Sequence, residues 1–165
     1  MQTDYPKSKW QKAVLYWFED RLAGKPTRRI IVRVRVIADE LGTNKRRIVA
    51  AIRALESLGY LRSTPRYSDH GGFDASEYLV MPSNPRKKYI VESIAAKINQ
   101  SPLDALDYLS RWVELSVSGV DVGEMNLREL ANALRYSDGT DRPSVLPFVT
   151  ACKEAGLSLQ GDFGW

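Results

Sequence analysis

The stretch LGTNKRRIVAAIRALESLGYL, residues 41–61, places four polar or charged residues directly before an amphipathic helix. Asn44 is suited to cap that helix, and three cations, residues 45–47, follow it. Cations at a helix N-terminus oppose the macrodipole, at a cost of roughly a few tenths of a kcal/mol each. Such a start is expected if phosphates of a bound nucleic acid neutralise the cations, and a solvated helix start is the alternative. The helix itself has apolar residues spaced to bury one face, namely Ile48, Ala51, Ile52, Leu55 and Leu58.

The charge of the chain is divided unevenly between its halves. Residues 1–90 contain 18 Lys/Arg and 9 Asp/Glu, a balance of +9, whereas residues 91–165 contain 6 and 11, a balance of −5. The two balances sum to the net charge of +4. The asymmetry indicates a polyanionic partner for the first half and a neutral or basic partner for the second.

The segments around the quoted stretch supply further elements. Apolar residues at helical spacing predict a first helix over roughly residues 8–23, and RRIIVRV, residues 28–34, predicts a short strand. A second helix is expected to stop at Gly42. Residues 60–81 predict a strand, a Gly-containing turn and a returning strand. The predicted order is therefore helix, strand, helix, turn, helix and hairpin.

Two prolines mark a junction near the middle of the chain. Pro82 and Pro85 keep the preceding residues out of helical geometry, so a regular element must end near Val80. With 165 residues the chain accommodates one domain of usual size or two small ones. We place the two domains at residues 1–81 and 86–165.

After the junction the apolar spacing predicts helices throughout. Ser101 and Asn126 are the expected N-caps of two of them, and Glu129 completes a capping-box pattern with Asn126. A last helix is predicted from about Pro143 to Ala155. The predicted fold class is mainly α with a small β-hairpin (α+β), the second half being all-helical.

The spacing I-A-D-E-L-G-T-N-K-R-R-I-V-A-A-I-R-A-L-E-S-L-G-Y-L, residues 37–61, resembles the helix-turn-helix of bacterial winged-helix regulators of the MarR and GntR type. The turn begins at Gly42, the recognition helix starts at the small polar Asn44, and a Leu-Glu-x-x-Gly-hydrophobic-hydrophobic closure ends it. The resemblance covers about residues 30–80, with the hairpin as the wing. It implies an N-terminal winged helix-turn-helix domain that binds DNA.

By this resemblance the DNA contacts fall on the recognition helix and the wing. The residues that would face the major groove are Lys45, Arg46, Val49 and Arg53, and Arg47 would lie near the backbone. Arginine reads guanine O6 and N7, whereas Lys45 is expected to contact phosphate. Val49 offers only apolar contact, so we expect direct base readout to be modest. The candidate DNA-binding residues are Asn44, Lys45, Arg46, Arg47, Val49, Arg53, Arg62, Arg66 and His70.

Residues from about 120 to 160 repeat the pattern in weaker form. The stretch Ala131–Gly156 echoes Ala38–Gly59, with four extra residues in between. It predicts a second, degenerate winged-helix-like unit, and a chance pairing of two helices is the alternative. Its would-be recognition helix opens with Asp141 and Arg142, and the acidic group would repel phosphate. A role in oligomerisation or partner docking is therefore expected for this unit.

A further apolar stripe in the second half has two interpretations. The favoured one is the internal core of this half, and the alternative is a dimer seam. The residues of this stripe are Leu103, Leu106, Leu109, Trp112 and Val113.

These patterns favour a double-stranded DNA-binding protein, a transcriptional regulator that acts as a dimer. A plasmid or phage replication or partition factor with tandem winged helices is one alternative, and a winged-helix protein-interaction subunit is another. Residues 86–165 are expected to bind a second copy or another protein.

No enzyme activity is expected, because the chain has no Gly-rich phosphate loop and no nucleophile–base pair. Cys152 and His70 each stand alone, so we expect no cofactor and no metal site. The start has no apolar signal core and no run approaches membrane-spanning length. The expected location is the cytoplasm, in the bacterial cytosol or nucleoid, without a membrane partner.

Overall fold

The structure is a computed structural model that describes residues 8–23, 25, 27–67, 73–119, 124–135, 140, 142 and 145–154. The elements in chain order are α1 (Lys9–Leu22), β1 (Arg29–Val32), α2 (Val34–Glu40), α3 (Lys45–Ser57), β2 (Leu61–Tyr67), β3 (Phe73–Val80), α4 (Pro85–Ile98), α5 (Pro102–Val117), α6 (Leu127–Ala133) and α7 (Val145–Glu154). The chain divides into two compact units, Met1–Ala23 with Arg28–Met81, and Gly24–Thr27 with Pro82–Trp165. We call them the first and second units.

The first unit contains a three-stranded antiparallel sheet in the order β1-β3-β2. Across the sheet, Ile30 lies opposite Tyr78, which lies opposite Ser63. Residues directly opposite one another point to the same face of a sheet. Ile30 and Tyr78 therefore share a face, and both pack against the core that the helices form. The Tyr78 ring contacts that of Phe18 on α1, with centroids 5.0 Å apart. The sheet therefore closes one side of a core that the helices share.

That core is built from one face of each helix in the unit. The helices α1 and α3 contribute four buried residues each and pack against one another, and α2 packs against α3. Full burial of a Val, Leu, Ile or Phe side chain contributes about 1.5–3 kcal/mol. The buried residues of this core are Val14, Trp17, Phe18, Leu22, Ile37, Ala38, Ile48, Ala51, Ile52, Leu55, Leu61, Tyr78 and Val80.

A buried arginine secures the end of the sheet. Arg28 is 5% exposed, and its Nε donates to the carbonyl oxygen of Val80 at 3.1 Å. One terminal nitrogen donates to the carbonyl of Met81 at 3.4 Å and forms an ion pair of 2.6 Å with Glu19 on α1. A buried charge is tolerated when it is both paired and hydrogen-bonded, and these contacts supply both conditions. Arg28 thus ties the last residues of β3 to α1.

In the second unit, every regular element that the structure describes is a helix, and α4 packs against α5 and α7. The Phe148 ring stacks on Tyr108, with centroids 4.0 Å apart and planes 9° from parallel, and contacts Trp112 at 5.2 Å. Of the predicted apolar stripe, Leu103 is half-buried and the other four residues are buried in this unit. Ser101 and Asn126 cap their helices as predicted, each accepting the backbone N–H three residues on.

The observed architecture confirms the predicted α+β class, mainly helical with a small sheet, and shifts two of its boundaries. The strand predicted over residues 28–34 ends at Val32, because α2 begins at Val34 and Arg33 serves as its N-cap. The returning strand begins at Phe73, opposite Tyr67, and so takes in residues expected to lie in the loop. The sheet has three strands because β1 pairs with β3, which the hairpin prediction did not include.

Candidate nucleic-acid interface

A sharp reversal of the chain sets the start of α3. Gly42 has a φ of 66°, and its N–H donates to the carbonyl of Asp39 at 3.3 Å. The N–H of Thr43 donates to the carbonyl of Ala38 at 2.9 Å, which completes the hydrogen-bond pair that typically ends a helix. Asn44 then caps α3 by accepting the N–H of residue 47 at 3.0 Å, as predicted. The direction in which α3 leaves the turn is thus fixed by the backbone.

The burial of α3 divides its residues into two faces. Its buried face contributes several kcal/mol to the core, whereas each cation at its start costs only a few tenths of a kcal/mol. Packing therefore determines where the helix lies, and the charged residues are carried outward at little cost. Val49 is half-buried, and the exposed cations are Lys45, Arg46, Arg47 and Arg53.

These four cations form no ion pair within the part of the chain that the structure describes. The same unit does pair other arginines with carboxylates, since Arg21 binds Glu40 and Arg28 binds Glu19. No acidic residue stands in the first turn of α3 either. The start of α3 consequently carries cations that have no carboxylate ion-pair partner among the described residues, and Arg53 adds another further along the helix. We call Lys45, Arg46, Arg47 and Arg53 the α3 basic patch.

One member of the patch is held by an aromatic ring. The guanidinium carbon of Arg47 lies 5.4 Å from the centroid of the Trp10 ring, within the range of cation–π attraction. The ammonium of Lys9 lies at 5.4 Å from the same centroid. Ser8 caps α1 by accepting the N–H of Gln11 at 3.0 Å, so this ring stands in the first turn of that helix. The first turns of α1 and α3 therefore meet at Trp10.

An open groove of about 690 Å³ adjoins the patch. Arg35 of α2 lines it, and the sequence prediction did not include this residue, which directly follows the strand predicted over residues 28–34. The carboxylate of Asp39 adds a hydrogen-bond acceptor beside the cations. The other lining residues are Ala38, Thr43, Asn44, Lys45 and Arg46.

Of the three candidate residues of the hairpin, one has a side chain that the structure describes. Arg62 lies on β2, half-buried, and interacts with other groups of the chain. Arg66 is paired by its backbone with Ala75, and its side chain lies outside the described part. His70 lies outside the described residues altogether. The structure therefore groups the candidates of α3, and of the wing candidates it describes the side chain of Arg62 alone.

A polar contact joins the end of α3 to the hairpin. The hydroxyl of Ser63 on β2 donates to the carboxylate of Glu56, near the end of the helix. Burial raises the pKa of the Tyr78 phenol, and the negative charge of Glu56 raises it further, whereas a hydrogen bond with Ser76 lowers it. The phenol thus stays neutral beside the carboxylate, and the hairpin is held against α3.

The would-be second recognition helix has a different arrangement. Arg142 is 9% exposed, and it forms an ion pair of 2.9 Å with Asp107 and lies 5.2 Å from the centroid of the Tyr108 ring. Its charge is used inside the second unit and is not presented to a ligand. Asp141, which we expected to oppose phosphate, lies outside the described residues, as does Pro143, the predicted start of the last helix, which in the structure begins at Val145.

Among the described residues, no group of three or more His, Cys, Asp or Glu side chains is placed to hold a metal ion. Within the same residues, no helix is both long and apolar enough to cross a membrane. Cys152 is buried, and burial raises the pKa of its thiol well above the ordinary range.

A scan against protein-family models found no matching model, and searches of curated proteins and of solved structures found no match.

Proposed function

We propose that the chain is a double-stranded DNA-binding protein whose first unit is a winged helix-turn-helix. Three features of this unit support the assignment: the order of helix, strand, helix, turn, helix and hairpin, the glycine turn before α3, and the sheet behind it. The winged-helix family uses such a third helix to enter the major groove. The hairpin after Gly59 corresponds to the wing, which β1 extends to three strands.

The observation that carries this proposal is the α3 basic patch. Cations without carboxylate partners lower the stability of a helix start, so a protein selected only for stability would carry Asp or Glu there. Neutralisation by phosphates reverses that cost and adds counterion release. All four cations are exposed. We assign Arg46 and Arg53 to base edges and Lys45 and Arg47 to phosphates.

A transcriptional regulator that acts as a dimer is the activity we propose. Because the predicted stripe from Leu106 to Val113 is buried within the second unit, the apolar surface left for self-association lies elsewhere. Val117, Leu127 and Leu146 are 62%, 47% and 57% exposed. We expect Leu127→Asn/Leu146→Asn to shift the sedimentation of the protein toward the monomer, and an unchanged profile would remove these residues from the interface.

The test of DNA binding compares two variants of equal charge. Arg46→Gln/Arg53→Gln removes two cations of the α3 basic patch, and Arg128→Gln/Lys153→Gln removes two exposed cations of the second unit. Both variants and the wild type are titrated against a random duplex library at several salt concentrations. We expect the first variant to bind at least about tenfold more weakly and to lose the recovered motif.

The salt dependence separates the alternatives. Each lost phosphate contact reduces the slope of log K against log salt by about 0.9, so loss of base contacts alone should leave the slope of Arg46→Gln/Arg53→Gln nearly unchanged. Equal loss of affinity in the two variants would mean that net charge, and not the patch, drives binding. Wild-type binding that neither variant weakens would contradict the proposal and direct the search to a protein partner. A palindromic motif would favour a dimeric regulator, and repeated direct sites a replication factor.

A further inference from the structure

The surroundings of Trp10 combine the apolar core with charged side chains. Trp10 is half-buried and packs against the core of the first unit, yet its ring also meets two cations from different helices. Arg47 reaches it from α3, and Lys9 from its own helix. The two cations repel each other, so an anion bound nearby would stabilise their position around the ring.

We propose that Trp10 is a positioning residue for the contact between Arg47 and the DNA backbone. This inference rests on the proposed function. A free arginine side chain samples many rotamers and loses that freedom when it binds a phosphate. Attraction to the Trp10 ring restricts Arg47 before binding, so less entropy is lost when the contact forms.

The chemistry of the contact leaves the arginine able to bind. Cation–π attraction uses the charge of the guanidinium and does not consume its N–H donors. Arg47 forms no ion pair among the described residues, so its donors remain available for phosphate oxygens. The backbone N–H of the same residue is held by Asn44, which fixes the Cα from which the side chain extends. The ring and the cap together define where the charge is presented.

The experiment is a double-mutant cycle with the full chain. Trp10→Leu keeps an apolar side chain against the core and removes the aromatic ring, Arg47→Gln removes the charge, and the third protein carries both changes. Affinity is measured at one salt concentration for the duplex that the wild type binds best. We expect Trp10→Leu to weaken binding by about two- to fivefold when residue 47 is Arg and to have no effect when residue 47 is Gln.

Two further measurements separate positioning from packing. The heteronuclear NOE of the Arg47 Nε–Hε group, recorded without DNA, is expected to fall in Trp10→Leu. Trp10→Phe, which keeps an aromatic ring, is expected to restore most of the affinity and of the NOE. If Trp10→Leu does not fold, the cycle is run with Trp10→Phe, whose weaker ring predicts a smaller coupling of the same sign.

Several outcomes would overturn the inference. Equal loss of affinity from Trp10→Leu with Arg or Gln at position 47 would show that Trp10 acts through packing alone. An unchanged affinity in Trp10→Leu would show that the ring is not needed. If either result accompanies weakened binding by Arg46→Gln/Arg53→Gln, the proposed function stands and the role of Trp10 fails. If that variant also binds as the wild type does, both proposals fail.

Discussion

The helices α3 and α6 begin with the same capping residue and carry opposite charge at the third position of the first turn. Asn44 accepts the N–H of Arg47 at 3.0 Å, and Asn126 accepts the N–H of Glu129 at 2.9 Å, so an arginine and a glutamate occupy matched third positions. The glutamate complements the helix dipole, and the arginine opposes it. The difference indicates that α6 starts in the way stability favours, whereas α3 keeps a charge that we explain by a ligand.

Charge reversal at the start of α3 is expected to have the largest effect, because it should raise stability and lower DNA affinity at the same time. Lys45→Glu/Arg46→Glu replaces two opposing charges with complementary ones, keeps the contact between Arg47 and Trp10, and should raise the free energy of unfolding by about 0.5–1 kcal/mol. The same change places anions against phosphate and should weaken DNA binding by more than about 100-fold. Unfolding in urea and duplex titration measure the two effects. Arg128→Glu/Lys153→Glu is the charge-matched control, and equal loss of binding in it would break the comparison.

Gly42→Ala tests the backbone turn that directs α3. A Cβ at this position meets no atom within 4 Å, so the cost arises from the positive φ alone. We expect the free energy of unfolding to fall by about 1–2 kcal/mol, measured by urea denaturation. Gly42→Asn should lose less than Gly42→Ala, because asparagine tolerates left-handed geometry better. Equal losses would mean that some effect other than backbone geometry is involved.

The two asparagine caps offer a direct comparison of their own. Asn44→Ala and Asn126→Ala each remove a side-chain acceptor from a helix start and should each cost about 1 kcal/mol, measured by thermal unfolding. With Asp in place of Asn, the cap is kept and a negative charge is added. We therefore expect Asn44→Asp, beside three cations, to stabilise more than Asn126→Asp does. The opposite order would contradict the account of α3 as an uncompensated start.

Glu129→Lys should have the smallest effect. It gives α6 an opposing charge like that of α3 and is expected to lower the free energy of unfolding by about 0.3–1 kcal/mol. We expect no gain in duplex affinity from it, because a cation at a helix start does not by itself make a DNA contact. An increase in affinity as large as the loss in Arg47→Gln would show that any added positive charge suffices.

Local rules in the sequence account for much of the fold. Asn44, Ser101 and Asn126 were predicted as caps because a side-chain oxygen followed by an apolar repeat is a short-range signal, and the three bonds are present. The start of α2 was not predicted, because no such short-range signal marks it. Arg33 and Val34 continue the β-branched alternation of β1, so nothing local separates the strand from the helix.

The remaining features depend on contacts between distant residues. Trp10 and Arg47 are brought together by the packing of α1 on α3, and no spacing rule connects them. Arg142 was expected at the start of the degenerate second recognition helix, but it is paired with Asp107, which lies 35 residues earlier. A sequence shows that an arginine is present, and only the fold shows whether its charge is already paired.

Arg28 also has a mechanical consequence. The chain leaves the first unit immediately after Met81, and the carbonyls of Val80 and Met81 are the groups that Arg28 grips. Tension that arrives from beyond Pro82 would meet this grip, and the hydrogen bond from the Met81 N–H to the Tyr60 carbonyl, before it reaches the ladder between β1 and β3. Because Arg28 is also bound to Glu19, part of the load passes into α1 instead of unzipping β3 from its end. The Arg28 guanidinium would thus protect the pairing of β1 with β3 from a force applied to the chain after Met81.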